Sequence, residues 1–142
     1  MNELRIVIDT NVIVSALLFP KSIPRQAFDA ALEVGQLLMS LETITELVDV
    51  LSRPKFDKYL EESERIDFAN SLRHELIFIE DTFEIADCRD PKDNKFLEVA
   101  VSRNASDIIS GNSDLLILHP YHSIEILTPQ AFLEKVHPEE LE

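Results

Sequence analysis

The chain has 142 residues, 45% hydrophobic and 28% charged, a length that one domain of roughly 100–200 residues fills without staples. Its single cysteine, Cys88, excludes an intramolecular disulfide, and its two glycines, Gly35 and Gly111, exclude a Walker A loop and a G-x-G-x-x-G fingerprint, each of which needs several glycines in one turn. Thirteen Lys+Arg against 27 Asp+Glu give a net charge of −14, a surface that by itself repels polyanions.

The segments alternate short apolar runs with longer helical ones. Leu4–Ile8 (LRIVI) predicts a buried strand, and Asn11–Phe19 a helix that stops before Pro20. Pro24–Val34 predicts a helix with proline in its first turn, and Gln36–Ser40 a second strand. Leu41–Leu51 carries apolar residues at 44, 47, 48 and 51, one face of a helix. A basic stretch with Arg53, Lys55 and Lys58 follows Pro54. Glu61–Leu76 repeats Ile66, Ala69, Leu72 and Leu76 and predicts an amphipathic helix. Ile77–Glu80 predicts a strand, and Asp81–Lys92 a loop. Asn94–Arg103 predicts a helix, Asp107–Ser110 a strand with a turn at Gly111, and Leu115–Leu118 a short helix or turn. Ser123–Leu127 predicts a last strand, and Thr128-Pro129 opens a last helix to about Val136.

Strands that are short, apolar and separated by helices imply an α/β sandwich around a mostly parallel sheet. Residues 1–136 are expected to form one domain and 137–142 an acidic tail. No apolar run approaches the ~20 residues of a membrane span, and the start MNELRIVIDTN lacks a signal peptide's apolar stretch. The expected location is the cytoplasm.

In such sheets ligands gather at the carboxyl ends of the strands, and acids stand there. Asp9 follows the first strand directly, where a carboxylate is costly unless paired, hydrogen-bonded or metal-bound. Asp114 follows the Gly111 turn, Asp93 opens the helix before the same strand, and Glu46 sits at the boundary of its helix face. Gaps of 37, 47 and 21 residues (46−9, 93−46, 114−93) leave their convergence to the fold. Each also has a plainer role: a helix cap for Asp9, an N-terminal helix acid for Asp93, a turn or cap for Asp114, a solvated residue for Glu46. Gathered, four oxygen donors suit Mg²⁺ or Mn²⁺ rather than zinc. His74, His119, His122 and His137 form no convincing ligand set, and His119-Pro120 breaks any helix there.

Four stretches, IDTNVIVSALL at Ile8–Leu18, ETITELVDVLSRPKF at Glu42–Phe56, CRDPKDNKFLEVAV at Cys88–Val101 and SGNSDLLIL at Ser110–Leu118, resemble the PIN-domain family. They most resemble its branch of VapC-like toxin ribonucleases. The resemblance implies a three-layer α/β/α fold and a metal-dependent endoribonuclease. It places the family's acids on Asp9, Glu46, Asp93 and Asp114, with Asn11, Ser110 and Asn112 as supporting polar groups. It also implies an RNA substrate, a cognate antitoxin and a homodimer. The last motif departs from T-G-D-x-D-L-L, since Ser110 keeps the hydroxyl while Asn112 replaces the first aspartate and removes a charge. Arg53, Lys55, Lys58, Arg89, Lys92 and Lys95 are the candidate phosphate contacts.

Two other readings remain open. An aspartyl-phosphate phosphatase would place its nucleophile at Asp9, yet it needs an acid two residues on, where Asn11 stands. A PIN-like module with a degenerate site would act by binding alone, and Asn112 and the acidic surface favour it.

Overall fold

The computed structural model describes residues 3–137, so the predicted acidic tail lies, apart from His137, outside the described residues. Five strands, β1 (Leu4–Ile8), β2 (Gly35–Ser40), β3 (Leu76–Ile79), β4 (Asp107–Ile109) and β5 (Glu125–Leu127), build one sheet. Their order is β3-β2-β1-β4-β5, and every pairing is parallel. Around it stand α1 (Thr10–Leu18), α2 (Ile23–Val34), α3 (Leu41–Leu51), α4 (Glu62–Leu72), α5 (Asn94–Ser102), α6 (Ser113–Leu116) and α7 (Pro129–Val136).

The two-residue period of a strand explains why β1 reads as an unbroken apolar run. Ile6 and Ile8 face the layer of α1, α2, α3, α4 and α7, together with Leu37, Met39 and Ile109. Val7 faces α5 and α6 with Leu38, Ile79, Ile108 and Ile126. Both faces are covered, so this is a three-layer α/β/α sandwich, with a sheet parallel throughout rather than mostly so. Each fully buried isoleucine or leucine contributes about 1.5–3 kcal/mol. β2 begins on Gly35 because β1 runs close there: a Cβ at this position would lie 2.4 Å from the Leu4 carbonyl oxygen.

Several junctions use no spare residues. Ser40 ends β2 and caps α3, its hydroxyl accepting from the Thr43 N–H at 3.2 Å while the Thr43 hydroxyl accepts from the Ser40 N–H at 2.8 Å. Ser22 and Thr128 cap α2 and α7 by the one-way bond alone, their hydroxyls accepting from the Arg25 and Ala131 N–H groups.

Element ends differ from the sequence reading where tertiary contacts outweigh local pattern. The predicted helix over 61–76 ends at Leu72, because Leu76 joins the sheet opposite Leu37. Its buried face includes Arg65, which is fully inaccessible. The guanidinium donates to the Leu51 carbonyl at 2.6 Å, the Arg53 carbonyl at 3.3 Å, the Leu60 carbonyl and the Asp57 carboxylate at 2.9 Å. It thus satisfies the carbonyls left open where α3 ends. The predicted strand over 123–127 shortens to Glu125–Leu127, since His122 and Ser123 adopt positive φ in a turn closed by Tyr121 and Ile124. The short helix starts at Ser113 rather than Leu115, because Asn112 caps it by accepting from the Asp114 N–H.

Candidate active site

The chain moves from β1 outward to β2 and β3 on one side, then crosses to β4 and β5 on the other. The switch point lies between β1 and β4, where a crevice opens beyond the carboxyl ends of the strands. Ile8 pairs with Ile109, and the Asp9 N–H continues the ladder to the Ile109 carbonyl at 2.9 Å. Asp9 and Ser110 therefore arrive level with each other. Asp9 is 4% exposed, and each of its oxygens has a donor: the Asn11 N–H at 3.1 Å, as the N-cap of α1, and the Ser110 hydroxyl at 2.7 Å.

From Ser110 the contacts run on through the turn. Its oxygen accepts from the Asn112 N–H at 3.0 Å. The Asn112 side-chain amide donates to Asp93 Oδ2 at 2.7 Å, and its oxygen accepts from the Asp114 N–H at 2.9 Å. Asp93 closes the 3-10 turn Pro91–Asp93 at the entrance to α5. Asp90 caps that turn, accepting from the Lys92 N–H at 3.0 Å. Arg89 reaches across to the Asp114 carboxylate. One carboxylate oxygen each from Asp90, Asp93 and Asp114 lies within 4.8 Å of the others.

Glu46 approaches from α3. Its Oε1 accepts from the Thr10 hydroxyl at 2.5 Å and its Oε2 from Lys95 Nζ at 2.7 Å. The Lys95 ammonium also donates to the Lys92 carbonyl at 2.6 Å.

Burial first, then the charge of Glu46, pushes the Asp9 carboxyl above the usual aspartate range, against the opposing bonds from Ser110 and Asn11 and the charge of Lys95. Asp93 is likewise raised, first by burial and then by Asp9 and Asp90, with the Asn112 bond opposing. Burial also pushes the Cys88 thiol up, which keeps it a thiol beside these acids.

The fold thus brings Asp9, Glu46, Asp93 and Asp114 to one end of the sheet, with Ser110 and Asn112 between them. Asn11 contributes its backbone N–H, while its residue is exposed. Sequence reasoning missed Asp90, which stands three residues before Asp93 across Pro91 and reads as an ordinary cap. Among the described residues the tightest acid group unites Asp90, Asp93 and Asp114, while Asp9 and Glu46 lie outside it. Of the basic residues, Arg89, Lys92 and Lys95 surround the acids. Arg53, Lys55 and Lys58 follow the far end of α3, where Tyr59 stacks edge-on against Phe19 at 5.2 Å, at the end of α1 opposite Asp9. The nine residues of α1 separate the two regions by about 13 Å.

The donor set suits a hard divalent cation. All ligands are carboxylate oxygens, and an octahedral ion with bonds of about 2.0–2.1 Å needs neighbouring oxygens roughly 2.9–4.2 Å apart, within small adjustments of this triad. Beside Asp9 opens a cleft of about 470 Å³ lined by Asp9, Asn11, Ser15, Pro24, Gly111, Asn112 and Pro129. The first turns of α1, α2 and α7 all border it, and their positive dipole ends offset part of the local negative charge.

A family model of the PIN domain matches residues 5–114. The chain belongs to the PIN-domain family. The matched span contains every acid of the crevice in this PIN domain, from Asp9 to Asp114. The chain is also 31% identical over 143 residues to Uncharacterized protein MJ1680 of Methanocaldococcus jannaschii, covering 94% of this chain and 92% of that one. The PIN fold is shared with three solved structures. VapBC from Salmonella typhimurium, bound to DNA, superposes with a TM-score of 0.59 at 16% identity, covering 89% of this chain and 98% of that one. VapBC2 from Rickettsia felis, bound to a DNA fragment from their promoter, gives 0.57 at 12% identity, with 86% and 96% covered. VapBC-1 from nontypeable Haemophilus influenzae gives 0.57 at 15% identity, with 89% and 98% covered. No helix among the described residues of the PIN domain is long and apolar enough to cross a membrane.

Proposed function

We propose that this PIN domain is a Mg²⁺- or Mn²⁺-dependent endoribonuclease that acts as the toxin of a toxin–antitoxin pair. The observation that carries the reading is the convergence of Asp9, Asp90, Asp93 and Asp114 at the switch point of the sheet. Asp93 and Asp114, with Asp90 and Asp9 beside them, hold the cation, and Glu46 acts on the attacking water. The cation, when bound, lowers the pKa of water and neutralises charge on the phosphate oxygens.

The remaining residues fix this arrangement. Ser110 orients Asp9, and Asn112 orients Asp93 while capping α6 at Asp114. Thr10 holds one oxygen of Glu46. Arg89 and Lys92 contact phosphates next to the acids, and Arg53, Lys55 and Lys58 contact phosphates farther along a single strand. The helix ends at the cleft help an anionic chain approach an acidic protein.

The antitoxin partner rests on the shared fold with three chains solved as VapBC, and the homodimer on family resemblance. Light scattering of the purified chain, alone and co-expressed with the product of an adjacent reading frame, checks both.

The test is cleavage of single-stranded RNA with Mn²⁺ by wild type, Asp9→Asn and Asp93→Asn, each with its fold verified by circular dichroism. Loss of at least about 100-fold in rate in both variants supports the proposal. Equal rates in folded variants overturn the site assignment.

One observation favours a second reading, that of a binding module. Asn112 stands where the family motif carries an aspartate, and its amide is spent on holding Asp93. A chain that neither takes up Mn²⁺ at millimolar concentration nor cuts any RNA fits that reading.

A further inference from the structure

The crevice contains a cation of its own. Lys95 Nζ lies 2.7 Å from Glu46 Oε2 and 2.6 Å from the Lys92 carbonyl, and its side chain is only 16% exposed. Its charge also reaches Asp9, on the neighbouring strand end. Both oxygens of Glu46 are therefore occupied, one by this ammonium and one by the Thr10 hydroxyl. The acids fall into two groups. Asp90, Asp93 and Asp114 crowd together with oxygens within 4.8 Å and no lysine ammonium bonded to them, Arg89 reaching only the outer Asp114. Glu46 stands apart from that triad with its own positive partner.

A two-ion site holds its cations ~3.5–4 Å apart between shared carboxylates, and on the Glu46 side the Lys95 ammonium already neutralises the carboxylate and opposes a second positive ion. We infer that Lys95 occupies the place of a second divalent cation, so that the crevice binds one metal ion per chain and Glu46 is held by the ammonium rather than by metal. Lys95 is thus a positioning residue for Glu46 and the determinant of metal count. It is not a free contact for RNA phosphate. This inference rests on the metal-dependent reading above and deepens it.

The two fail separately. Isothermal titration of the purified full chain with Mn²⁺ counts ions, and circular dichroism checks the fold of each variant. Wild type is expected to bind one ion, Lys95→Met two, and Lys95→Arg one, since the guanidinium restores the positive partner. Glu46→Gln added to Lys95→Met returns the count to one. Two ions on wild type overturn the inference and leave the metal-dependent reading standing, and so does one ion on a folded Lys95→Met. No ion on wild type overturns both. If Lys95→Met does not fold, the wild-type count and the Lys95→Arg count still decide.

Discussion

The Ser110 hydroxyl donates a 2.7 Å hydrogen bond to Asp9 Oδ2 across 101 residues of sequence. This bond joins the carboxyl ends of the two central strands and favours the charged form of an acid that burial opposes. Ser110→Ala removes it and also leaves the Asn112 N–H without its acceptor. The expected loss is about 1–2 kcal/mol in urea unfolding, with a further upward shift of the Asp9 carboxyl in an NMR titration. An unchanged Asp9 titration would contradict this account of the bond.

Asp9 and Asp93 are both raised above the ordinary 3.8. In the metal-free fold their charged forms are disfavoured, so each group lowers stability as pH rises from 3.8 through its raised folded value, and the penalty is constant above that. The stability of wild type minus that of Asp93→Asn, measured in chelator, is expected to fall across this window. Added Mg²⁺ should stabilise wild type more at neutral pH than in the acid part of the window. Glu125 has the opposite sign. Its bond and charge pairing with Lys135 lower it below 4.5, so its contribution is present above 4.5 and lost as pH falls through its folded value.

At the other end of β4, Asp107 is fully buried and accepts from Lys135 Nζ at 2.7 Å and from the Ser106 hydroxyl at 2.6 Å. Lys135→Met leaves that carboxylate with a hydroxyl alone. The expected cost is about 2 kcal/mol, below that of a fully buried broken pair because Lys135 is itself partly in water. Equilibrium unfolding checks this, and RNA cleavage by the folded fraction should be unchanged.

Arg65 donates to three carbonyls and one carboxylate where α3 turns towards α4. Lysine has one donor centre and cannot reach all four. Arg65→Lys is expected to cost about 3 kcal/mol. A denaturation midpoint equal to that of wild type would show that water satisfies these carbonyls instead.

The architecture was legible because strands covered on both faces carry a signal that survives without tertiary knowledge. LRIVI and QLLMS were readable for that reason, and Asp9 stood out as the polar residue ending the first. The acids at 46, 93 and 114 were readable by motif and strand-end position. Asp90 was not, because an aspartate before proline at a turn already has a sufficient local role. Arg65 was not, because a charged residue on a helix reads as solvated, and only the fold brings four acceptors around it. Lys95 beside Asp93 reads as a phosphate contact, and its pairing with Glu46, 49 residues away, depends wholly on how α3 and α5 meet.

The most direct measurement is an anomalous-scattering map from crystals of this chain grown with Mn²⁺. The account predicts a single peak about 2.1 Å from carboxylate oxygens of Asp93 and Asp114, with Lys95 still bonded to Glu46. A map with no peak among these acids at millimolar Mn²⁺, or with its peak elsewhere on the chain, would contradict it.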